Sequence, residues 1–474
     1  MPGFHVENFG CRAARADGEA VSDRLRSAGL TEETPAAADV VVVNTCSVTA
    51  EADREARAYI RRAHRRNPEA RILVTGCYAQ RAPEELAGLA GVAAVVGNSH
   101  KAFTPWIALN LVGLSEQQRP LVGSQTSSQL IQIQAAQAAS APPQVVWADD
   151  RFAHSFLEEA QLVPGAQTRP NLKIQEGCGN RCTFCVIPQT RGSSRSLPAD
   201  RIFQQINGFI AAGGNELVLS GINLGRWGRD LSGSLDTGSR TLADLVRRIL
   251  DQTSLARLRL SSIEPMDWNS ELIRLMAEFG GVRLARHAHL PLQSGSDTVL
   301  RRMHRRYRPW HYEEKVQALL EAAGPELTLG ADVMVGFPGE TDAEFRETFD
   351  LVRKLPFGYL HLFPFSPRPG TRGWTLQAEQ PIAPQAAEER MSALRALAAE
   401  KTKNHRSRFV GRQLEAITLH TPAEIESAHR TLALTENFLP MELEGDQPAN
   451  RLVRARVTEL NAEGILQAAG LNLE

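Results

Sequence analysis

The chain lacks a long hydrophobic run, a strong net charge and a dense set of cysteines. Its 474 residues carry a formal net charge of −1, so overall charge does not predict a nucleic-acid or membrane partner. No apolar stretch approaches the roughly 18 residues of a membrane span. The N-terminal residues MPGFHVENFG lack the basic and apolar regions of a signal peptide. We therefore expect a cytoplasmic protein without a membrane partner.

The low number of cysteines argues against a disulfide framework. Only six are present in 474 residues, and long cytosolic chains with few cysteines use them for metal binding or catalysis. The hydrophobic fraction of 42% is sufficient for packed cores. At ~150 residues per domain, the length predicts about three domains.

The first three cysteines share one local setting. Residues 1–115 alternate predicted strands and helices, which indicates a doubly wound parallel sheet. Cys11, Cys46 and Cys77, here called the N-terminal triad, each follow one predicted strand. Ligands of open parallel sheets bind at the carboxyl ends of the strands, so we expect the three thiols to converge on one edge. The alternative is that they are small buried core residues, but their repeated placement favours a shared site.

The rest of the chain divides into three further segments. Residues 116–169 are low in charge and rich in Gln, Ser and Ala, which predicts a linker or insertion. Residues 170–406 repeat strand and helix six times, which predicts an open (β/α)6 barrel with its active site at the carboxyl ends of the strands. Residues 407–474 alternate short strands and turns, which predicts a small β-barrel. The predicted fold class is therefore α/β with three domains.

The other three cysteines follow the first strand of the predicted barrel. Cys178, Cys182 and Cys185, here called the barrel triad, form a CxxxCxxC motif. Three thiolates bind three irons of a [4Fe–4S] cluster and leave the fourth iron for an external ligand. S-adenosylmethionine (SAM) supplies that ligand in radical-SAM enzymes, where its reductive cleavage releases a 5′-deoxyadenosyl radical. The alternative, structural zinc, needs a second ligand pair, and none follows at finger-like spacing.

Other residues at predicted strand ends are candidate contacts for SAM and substrate. Phe184, between the last two cysteines, is a candidate to pack on the adenine of SAM. Ser261, Ser262 and Gln293 offer hydrogen-bonding side chains at the predicted barrel mouth. The segments that contain such candidates are LSGINLG (219–225), SSIEP (261–265), LPLQSGS (290–296) and VGFPGET (335–341).

Four ionisable residues of the predicted barrel have open roles. His287 and His289 alternate on one strand, which is more typical of packing or substrate contact than of metal binding. Asp332 and Glu340 either anchor ligand hydroxyls or cap turns and helix starts. No convincing pair of acid and base catalysts is present, so no catalytic residue is assigned.

Several segments resemble the methylthiotransferase family of the radical-SAM superfamily. They are VNTCSVTAEADREAR, RILVTGCYAQ, KIQEGCGNRCTFCVIPQTRGSSRS, LSSIEP, HLPLQSGSD, DVMVGFPGETDAEF and LHLFPFSPRPGT. The resemblance implies two [4Fe–4S] clusters, with an auxiliary cluster on the N-terminal triad for sulfur delivery and the radical-generating cluster on the barrel triad. It also implies SAM, a reductant such as flavodoxin or ferredoxin, and a C-terminal RNA-binding β-barrel of the TRAM type.

The resemblance is closest to one branch of that family. NTCSVTAEADREAR, VTGCYAQR, SSIEP and SPRPGT resemble the branch that adds a 2-methylthio group to N6-threonylcarbamoyladenosine beside the tRNA anticodon. The implied partner is the tRNA anticodon arm. Alternatives are isopentenyladenosine in tRNA or an aspartate of a ribosomal protein as substrate. A cluster-bearing RNA-binding or redox-sensing protein without turnover is a further alternative from another class.

Three features depart from the family pattern or bear on RNA binding. The chain has CRAARADGEA where family members usually have Lys or Gln and then Asn. The tail from Phe409 holds five Arg and ten acidic residues, which is a poor charge balance for an RNA binder. Basic residues crowd two other stretches, which either face solvent or form a phosphate track for tRNA. They are Arg54, Arg57, Arg61, Arg62, Arg65 and Arg66, and then Arg301, Arg302, Arg305, Arg306 and Arg308.

Overall fold

The N-terminal part is a parallel sheet with helices on both faces. The computed structural model describes residues 1–114, 145–152, 162, 168–231 and 240–470. The sheet has the strand order β2-β1-β3-β4-β5-β6, and the predicted doubly wound sheet is confirmed. The strands are β1 (Gly3–Asn8), β2 (Thr31–Glu32), β3 (Val40–Thr45), β4 (Arg71–Gly76), β5 (Val92–Gly97) and β6 (Val145–Trp147); the helices are α1 (Arg12–Ser27), α2 (Ala50–Arg66), α3 (Cys77–Arg81), α4 (Pro83–Ala87) and α5 (Thr104–Leu111).

Local sequence explains the central elements of this sheet. All residues of β3 are buried, as expected for a valine-rich strand covered on both faces. Helix α2 begins where the side chain of Thr49 accepts a hydrogen bond from the backbone N–H of Ala52 at 3.2 Å. Such caps fix where each helix leaves the sheet and therefore where the strand-end loops lie.

The segment expected to be a linker contributes a strand. Within 116–169, β6 pairs in parallel with β5 and extends the sheet at its edge. Three apolar residues are too few to predict a strand alone, and β6 obtains its hydrogen bonds from an existing edge. The rest of the Gln- and Ser-rich stretch, residues 116–144, lies outside the described residues.

The second part is an open barrel of parallel strands. All six expected strands are present, and β8 adds a short antiparallel strand beside β7. The strands are β7 (Asn171–Glu176), β8 (Arg195–Ser196), β9 (Glu216–Gly221), β10 (Arg257–Leu260), β11 (His287–His289), β12 (Thr328–Val335) and β13 (Phe357–Pro364). The helices are α6 (Ile187–Arg191), α7 (Ala199–Ala211), α8 (Leu242–Gln252), α9 (Ser270–Phe279), α10 (Asp297–Arg302), α11 (Pro309–Ala323), α12 (Asp342–Lys354), α13 (Arg372–Glu379) and α14 (Pro384–Ser407).

Alternation along the strands separates the helix-packed core from the barrel interior. Strands β9, β10 and β7 form one sheet and β11–β13 form another, with an isolated bridge between Leu258 and Leu284 at their junction. Leu258 and Leu260 pack in the apolar core with residues of the surrounding helices. Arg257 and Arg259 therefore point to the opposite face, into the barrel. The predicted open (β/α)6 barrel is confirmed.

The third part is a closed five-stranded β-barrel, as predicted. Its strand order is β14-β15-β16-β18-β17. The elements are β14 (Gln413–Thr418), α15 (Ala423–Glu426), β15 (Arg430–Thr435), β16 (Pro440–Glu444), β17 (Leu452–Leu460) and β18 (Leu466–Gly470). Glu436 accepts a hydrogen bond from Arg286 Nε at 2.8 Å, and Phe438 lies 4.3 Å from the ring of His287. The β15–β16 turn therefore docks against the open barrel.

None of the helices in the described part of the chain combines the length and the hydrophobicity that a membrane span requires.

A buried carboxylate at the start of β9, that of Glu216, lies close to three arginines. Glu216 accepts a hydrogen bond from Arg259 Nε at 2.9 Å and lies 3.5 Å from both Arg257 and Arg169. Burial opposes the charge of Glu216, but the three arginines outweigh burial and hold its pKa below the ordinary value. Because the folded pKa is depressed, this stabilisation is present at neutral pH and is lost as the pH falls below about 4.

Replacing Glu216 by Gln should therefore destabilise the protein. The variant leaves buried arginines without their carboxylate, and we expect a loss of roughly 3–5 kcal/mol in unfolding free energy. The measurement is urea unfolding followed by circular dichroism at pH 7. Glu271→Gln is the control, because Glu271 forms an exposed ion pair with Arg274 that contributes about 1 kcal/mol or less. Equal stabilities for the two variants would contradict the assigned role of Glu216.

Candidate functional site

The N-terminal triad lies at one edge of the parallel sheet. Cys11 follows β1, Cys46 follows β3, and Cys77 begins α3 directly after β4. Since β1, β3 and β4 are neighbours in the sheet, their carboxyl ends bring the three cysteines to the same edge. Cys11 is exposed, while Cys46 and Cys77 are buried. The structure therefore places the triad where the strand pattern predicts it.

Glycine permits the close approach of the two loops that carry Cys11 and Cys46. Gly10 has a φ of +103°, and a Cβ there would lie 2.6 Å from Cβ and 2.8 Å from Sγ of Cys46. A side chain at this position would displace the Cys46 thiol. Gly76, before Cys77, has a φ of +98°, and a Cβ there would lie 2.3 Å from the carbonyl oxygen of Thr45.

Hydrogen-bond donors contact two sulfurs of the N-terminal triad. Cys77 Sγ accepts from Arg191 Nε at 3.2 Å and from Asn98 Nδ2 at 3.4 Å, and Cys46 Sγ accepts from the backbone N–H of Val48 at 3.5 Å. Burial, followed by the neighbouring thiols, raises the pKa of Cys46 to about 12. A bound metal cluster relieves this penalty, because metal coordination stabilises thiolates.

The barrel triad occupies the loop between β7 and α6. Cys178 Sγ accepts hydrogen bonds from the backbone N–H of Asn180 at 3.4 Å and from Asn223 Nδ2 at 3.6 Å. Cys182 Sγ accepts from Arg305 Nη1 at 3.3 Å. Donors of this kind tune iron–sulfur clusters through their sulfur ligands.

Arg305 corrects one interpretation of the second basic stretch. It neither faces solvent nor lies on a phosphate track, because it is buried and pairs with Glu264 as well as contacting Cys182. Its Nε donates to the Tyr307 hydroxyl at 3.2 Å, and that hydroxyl donates to the carbonyl of Leu292 at 2.7 Å. The sequence alone does not distinguish Arg305 from the other arginines of the stretch 301–308.

The cysteine geometry fits iron–sulfur clusters better than single metal ions. All six cysteines are free thiols, so no disulfide competes for them. In the part of the chain that the structure describes, three metal-ligand atoms within 4.8 Å of one another occur only in a His–Asp–His group. The cysteine sulfurs are therefore too widely spaced to bind one ion, whereas a [4Fe–4S] cluster binds each thiolate through a different iron.

The candidate SAM residues occupy the carboxyl end of the barrel. Gln293 has a φ of +62°; its backbone N–H donates to Asp332 O at 2.8 Å and its carbonyl accepts from Met334 N at 2.9 Å. Its side-chain Oε1 is buried without a hydrogen-bond partner, which suits a ligand contact. Ser261 and Ser262 follow β10, with Ser261 buried and Ser262 half-buried.

Phe184, Ser220 and Asn223 also lie at the barrel mouth, and the last two are not among the residues expected from the sequence. Phe184 packs at the edge of an apolar cluster that includes Met334 and Phe337. Ser220 Oγ and Asn223 Oδ1 are buried without hydrogen-bond partners, as Gln293 Oε1 is. Both residues belong to LSGINLG, a segment that the sequence already indicates as a candidate contact. The sequence did not single out these two residues within it.

The structure gives Asp332 and Glu340 different environments. Asp332 lies in the barrel interior, with Oδ1 at 3.2 Å from His289 Nε2 and 3.3 Å from His361 Nδ1. Glu340 instead forms a buried ion pair with Arg390 at 3.0 Å and accepts the backbone N–H of Gly336. Asp332 therefore faces the barrel interior, while Glu340 stabilises a turn.

A buried group of charges joins the sheet to the barrel. We call Asp17, Lys101, Lys173, Glu176 and Arg191 the interdomain charge cluster. Arg191 Nη1 donates to Glu176 Oε1 at 2.7 Å and to Asp17 Oδ2 at 3.2 Å, and Lys101 Nζ contacts the same two carboxylates at 2.7 and 2.8 Å. Lys173 also pairs with both acids. Three cations thus face two carboxylates, and Arg191 also donates to the sulfur of Cys77 through Nε.

Further contacts close the same interface. Asn98 Nδ2 donates to the carbonyl of Thr190 in α6 at 2.9 Å. Arg368, after β13, pairs with Asp53 of α2 and donates to Ser47 Oγ at 3.0 Å. The N-terminal sheet therefore docks at the loops beyond the carboxyl ends of β7 and β13, close to the barrel triad.

A cysteine triad at the mouth of an open parallel barrel defines a radical-SAM enzyme. Residues 172–352 match the model of the radical SAM superfamily, and residues 3–97 match that of the uncharacterized protein family UPF0004. Radical-SAM enzymes bind SAM and a [4Fe–4S] cluster, and this protein shares those cofactors.

Similar proteins extend the comparison to nearly the whole chain. A threonylcarbamoyladenosine tRNA methylthiotransferase MtaB of Bacillus subtilis is 32% identical, over 96% of this chain and 93% of its own. One of Aquifex aeolicus is 32% identical over 95% and 99%. A tRNA-2-methylthio-N(6)-dimethylallyladenosine synthase of Sorangium cellulosum is 35% identical over 80% and 75%. The chain belongs to the methylthiotransferase family, and it is an enzyme that transfers a methylthio group.

The interdomain charge cluster leads to a prediction for Asp17. Asp17→Asn leaves three buried cations against one carboxylate, so we expect the free energy of local opening of α1 to fall by roughly 3 kcal/mol or more. Hydrogen exchange followed by mass spectrometry measures the opening. Asp23→Asn is the matched control on the same helix, because Asp23 lies 3.8 Å from Arg26 near the surface. Unchanged exchange in α1 of the Asp17 variant would refute a stabilising role for the cluster.

Proposed function

We propose that this protein is a tRNA methylthiotransferase that adds a methylthio group to carbon 2 of N6-threonylcarbamoyladenosine beside the anticodon. The observation that carries the proposal is the pairing of two cysteine triads across one interface, where Arg191 of α6 donates to Cys77. Helix α6 begins two residues after Cys185, so one short segment connects both triads. Relatives named for this substrate match 95–96% of the chain.

In this proposal each triad holds its own [4Fe–4S] cluster. The N-terminal triad holds the auxiliary cluster, and the barrel triad holds the SAM-binding cluster. When bound, the clusters and SAM supply the radical, the methyl group and the sulfur. The protein holds the ligand sulfurs in place through Arg305 and Asn223 at the barrel triad and Arg191 at the N-terminal triad. Gln293, Ser261, Ser262 and Phe184 are the proposed SAM contacts.

The anticodon arm of tRNA is the proposed macromolecular partner. Helix α2 exposes five arginines, of which Arg54 pairs with Glu51 and four remain along the rest of the helix. Its first residue, Ala50, donates to Ser366 Oγ at 2.9 Å beside the barrel mouth. These cations are placed to bind phosphates of an RNA whose modified base enters the barrel. They are Arg61, Arg62, Arg65 and Arg66.

The second basic stretch supports this role less. Arg302 pairs with Glu344 at 2.8 Å, and both Arg301 and Arg308 pair with Asp297 at 2.9 and 3.1 Å. Their charges are therefore partly compensated within the protein. A flavodoxin- or ferredoxin-type reductant and a cytoplasmic location stay predictions from the sequence.

The substrate is tested by nucleoside analysis of tRNA from cells with and without the gene. The proposal predicts that 2-methylthio-threonylcarbamoyladenosine disappears without the gene and that its unmethylthiolated precursor accumulates. Loss of the dimethylallyl nucleoside instead would assign the enzyme to that branch. An unchanged nucleoside profile would refute a tRNA substrate, and a mass change in a ribosomal protein would then identify an aspartate as the target.

The auxiliary cluster is tested at Gly10. Gly10→Ala places a methyl group against the Cys46 thiol, so we expect anaerobically reconstituted protein to fall from about eight irons to about four, as loss of one four-iron cluster requires. Gly29→Ala is the matched control, because Gly29 also has a positive φ, +90°, but no atom lies within 4 Å of a Cβ there. Iron and sulfide analysis decides. Eight irons in both variants would contradict the assigned role of Gly10, and about four irons in the wild type would count against a cluster on the N-terminal triad.

A further inference from the structure

The barrel interior contains a cation that the protein itself does not pair. Arg12 is the first residue of α1, and its Cζ lies 5.7 Å from the ring centre of Phe438. Phe438 belongs to the β15–β16 turn and packs against His287 and Tyr359 inside the barrel, with ring centres 4.3 and 5.5 Å away. Arg12 thus reaches from the N-terminal sheet into the barrel. Within the described part of the chain it forms no hydrogen bond and no ion pair.

A second guanidinium lies over the same ring. Arg259 Cζ is 5.3 Å from the centre of Phe438, but Arg259 is paired with Glu216 and donates to the carbonyl of Thr435 at 3.2 Å. Arg12 and Arg259 therefore both lie at the ring of Phe438, but only Arg259 has a carboxylate partner. The charge of Arg12 can still be compensated by a bound anion.

The other polar groups nearby do not supply that anion, since Glu216 is already shared by Arg259, Arg257 and Arg169. Asp332 is occupied by His289 and His361, while Nδ1 of His287 is buried without a partner. Arg12, Tyr359 and Phe438 are nevertheless partly exposed, although all three lie inside the assembled domains. The interior is therefore open to a ligand, and the ligand that suits it brings a negative charge.

We propose that Arg12 binds the carboxylate of the threonyl group of the substrate nucleoside. The inference rests on the proposed function, because that nucleoside carries a carboxylate on its N6 substituent. In adenine, N1 lies between carbon 2 and carbon 6, and carbon 6 carries N6. The group that recognises the N6 substituent therefore stands close to the site of methylthio transfer. Arg12 meets this requirement, since it directly follows Cys11 of the N-terminal triad.

Arg12 would then determine specificity within the family. A dimethylallyl group is apolar and neutral, and it would leave the desolvated guanidinium without a partner. A site built to bind a charged group discriminates strongly against an analogue that lacks the charge. Recognition of the threonyl carboxylate is therefore the selective step that this residue provides.

The test compares two RNA substrates on full-length, reconstituted enzyme. One is an anticodon stem-loop with threonylcarbamoyladenosine, and the other is the same RNA with the threonyl carboxylate as its methyl ester. A charge-assisted contact predicts an about 10- to 100-fold preference of the wild type for the acid in kcat/KM. Arg12→Gln should remove this preference, mainly through a higher KM for the acid with little change for the ester. Arg12→Lys should retain part of it.

Arg15→Gln is the matched control, because Arg15 is exposed on the same helix and should leave the preference unchanged. Iron content and circular dichroism of each variant establish that it is folded and loaded. If Arg12→Gln keeps the full preference for the acid, the inference is overturned while the proposed function stands. If the wild type modifies neither RNA, the proposed function itself fails. If it modifies both equally, no carboxylate is recognised and only the role of Arg12 is refuted.

Discussion

The buried contact between Arg191 and Cys77 is the interaction on which the arrangement of the active centre depends. Arg191 ends the helix that follows the barrel triad, and its guanidinium contacts Cys77, Asp17 and Glu176. A buried guanidinium is stable only where its charge is compensated, and here the compensation comes from both domains. The two cysteine sites therefore hold their relative positions through electrostatics as well as through packing.

Much of the fold could be predicted because its signals are local. The valine-rich β3, the strand-end cysteines and the alternation of strands with helices each follow from a few adjacent residues. The same reasoning located the N-terminal triad at one edge of the sheet, since the ends of parallel strands converge wherever the sheet forms. The three-residue strand β6 was missed because its stability comes from the neighbouring edge of β5 and not from its own sequence.

The roles of individual arginines could not be predicted, because their partners are distant in sequence. Arg191 lies 174 residues from Asp17, and Arg305 lies 123 residues from Cys182. Before folding, Arg305 is one of several arginines in a basic run, and Arg12 is one more departure from the family pattern. The folded structure distinguishes three roles. Arg191 and Arg305 contact cysteine sulfurs, Arg259 pairs with an acid, and Arg12 is the cation that we propose for substrate binding.

The central claim is that two clusters share one interface, and their magnetic interaction tests it most directly. The measurement is electron paramagnetic resonance of the reduced, reconstituted protein beside Cys46→Ala and Cys182→Ala variants, each of which should retain one cluster. We expect a wild-type spectrum that is broadened or split relative to the sum of the two variant spectra, because the neighbouring spins interact. A wild-type spectrum equal to that sum would contradict a shared interface.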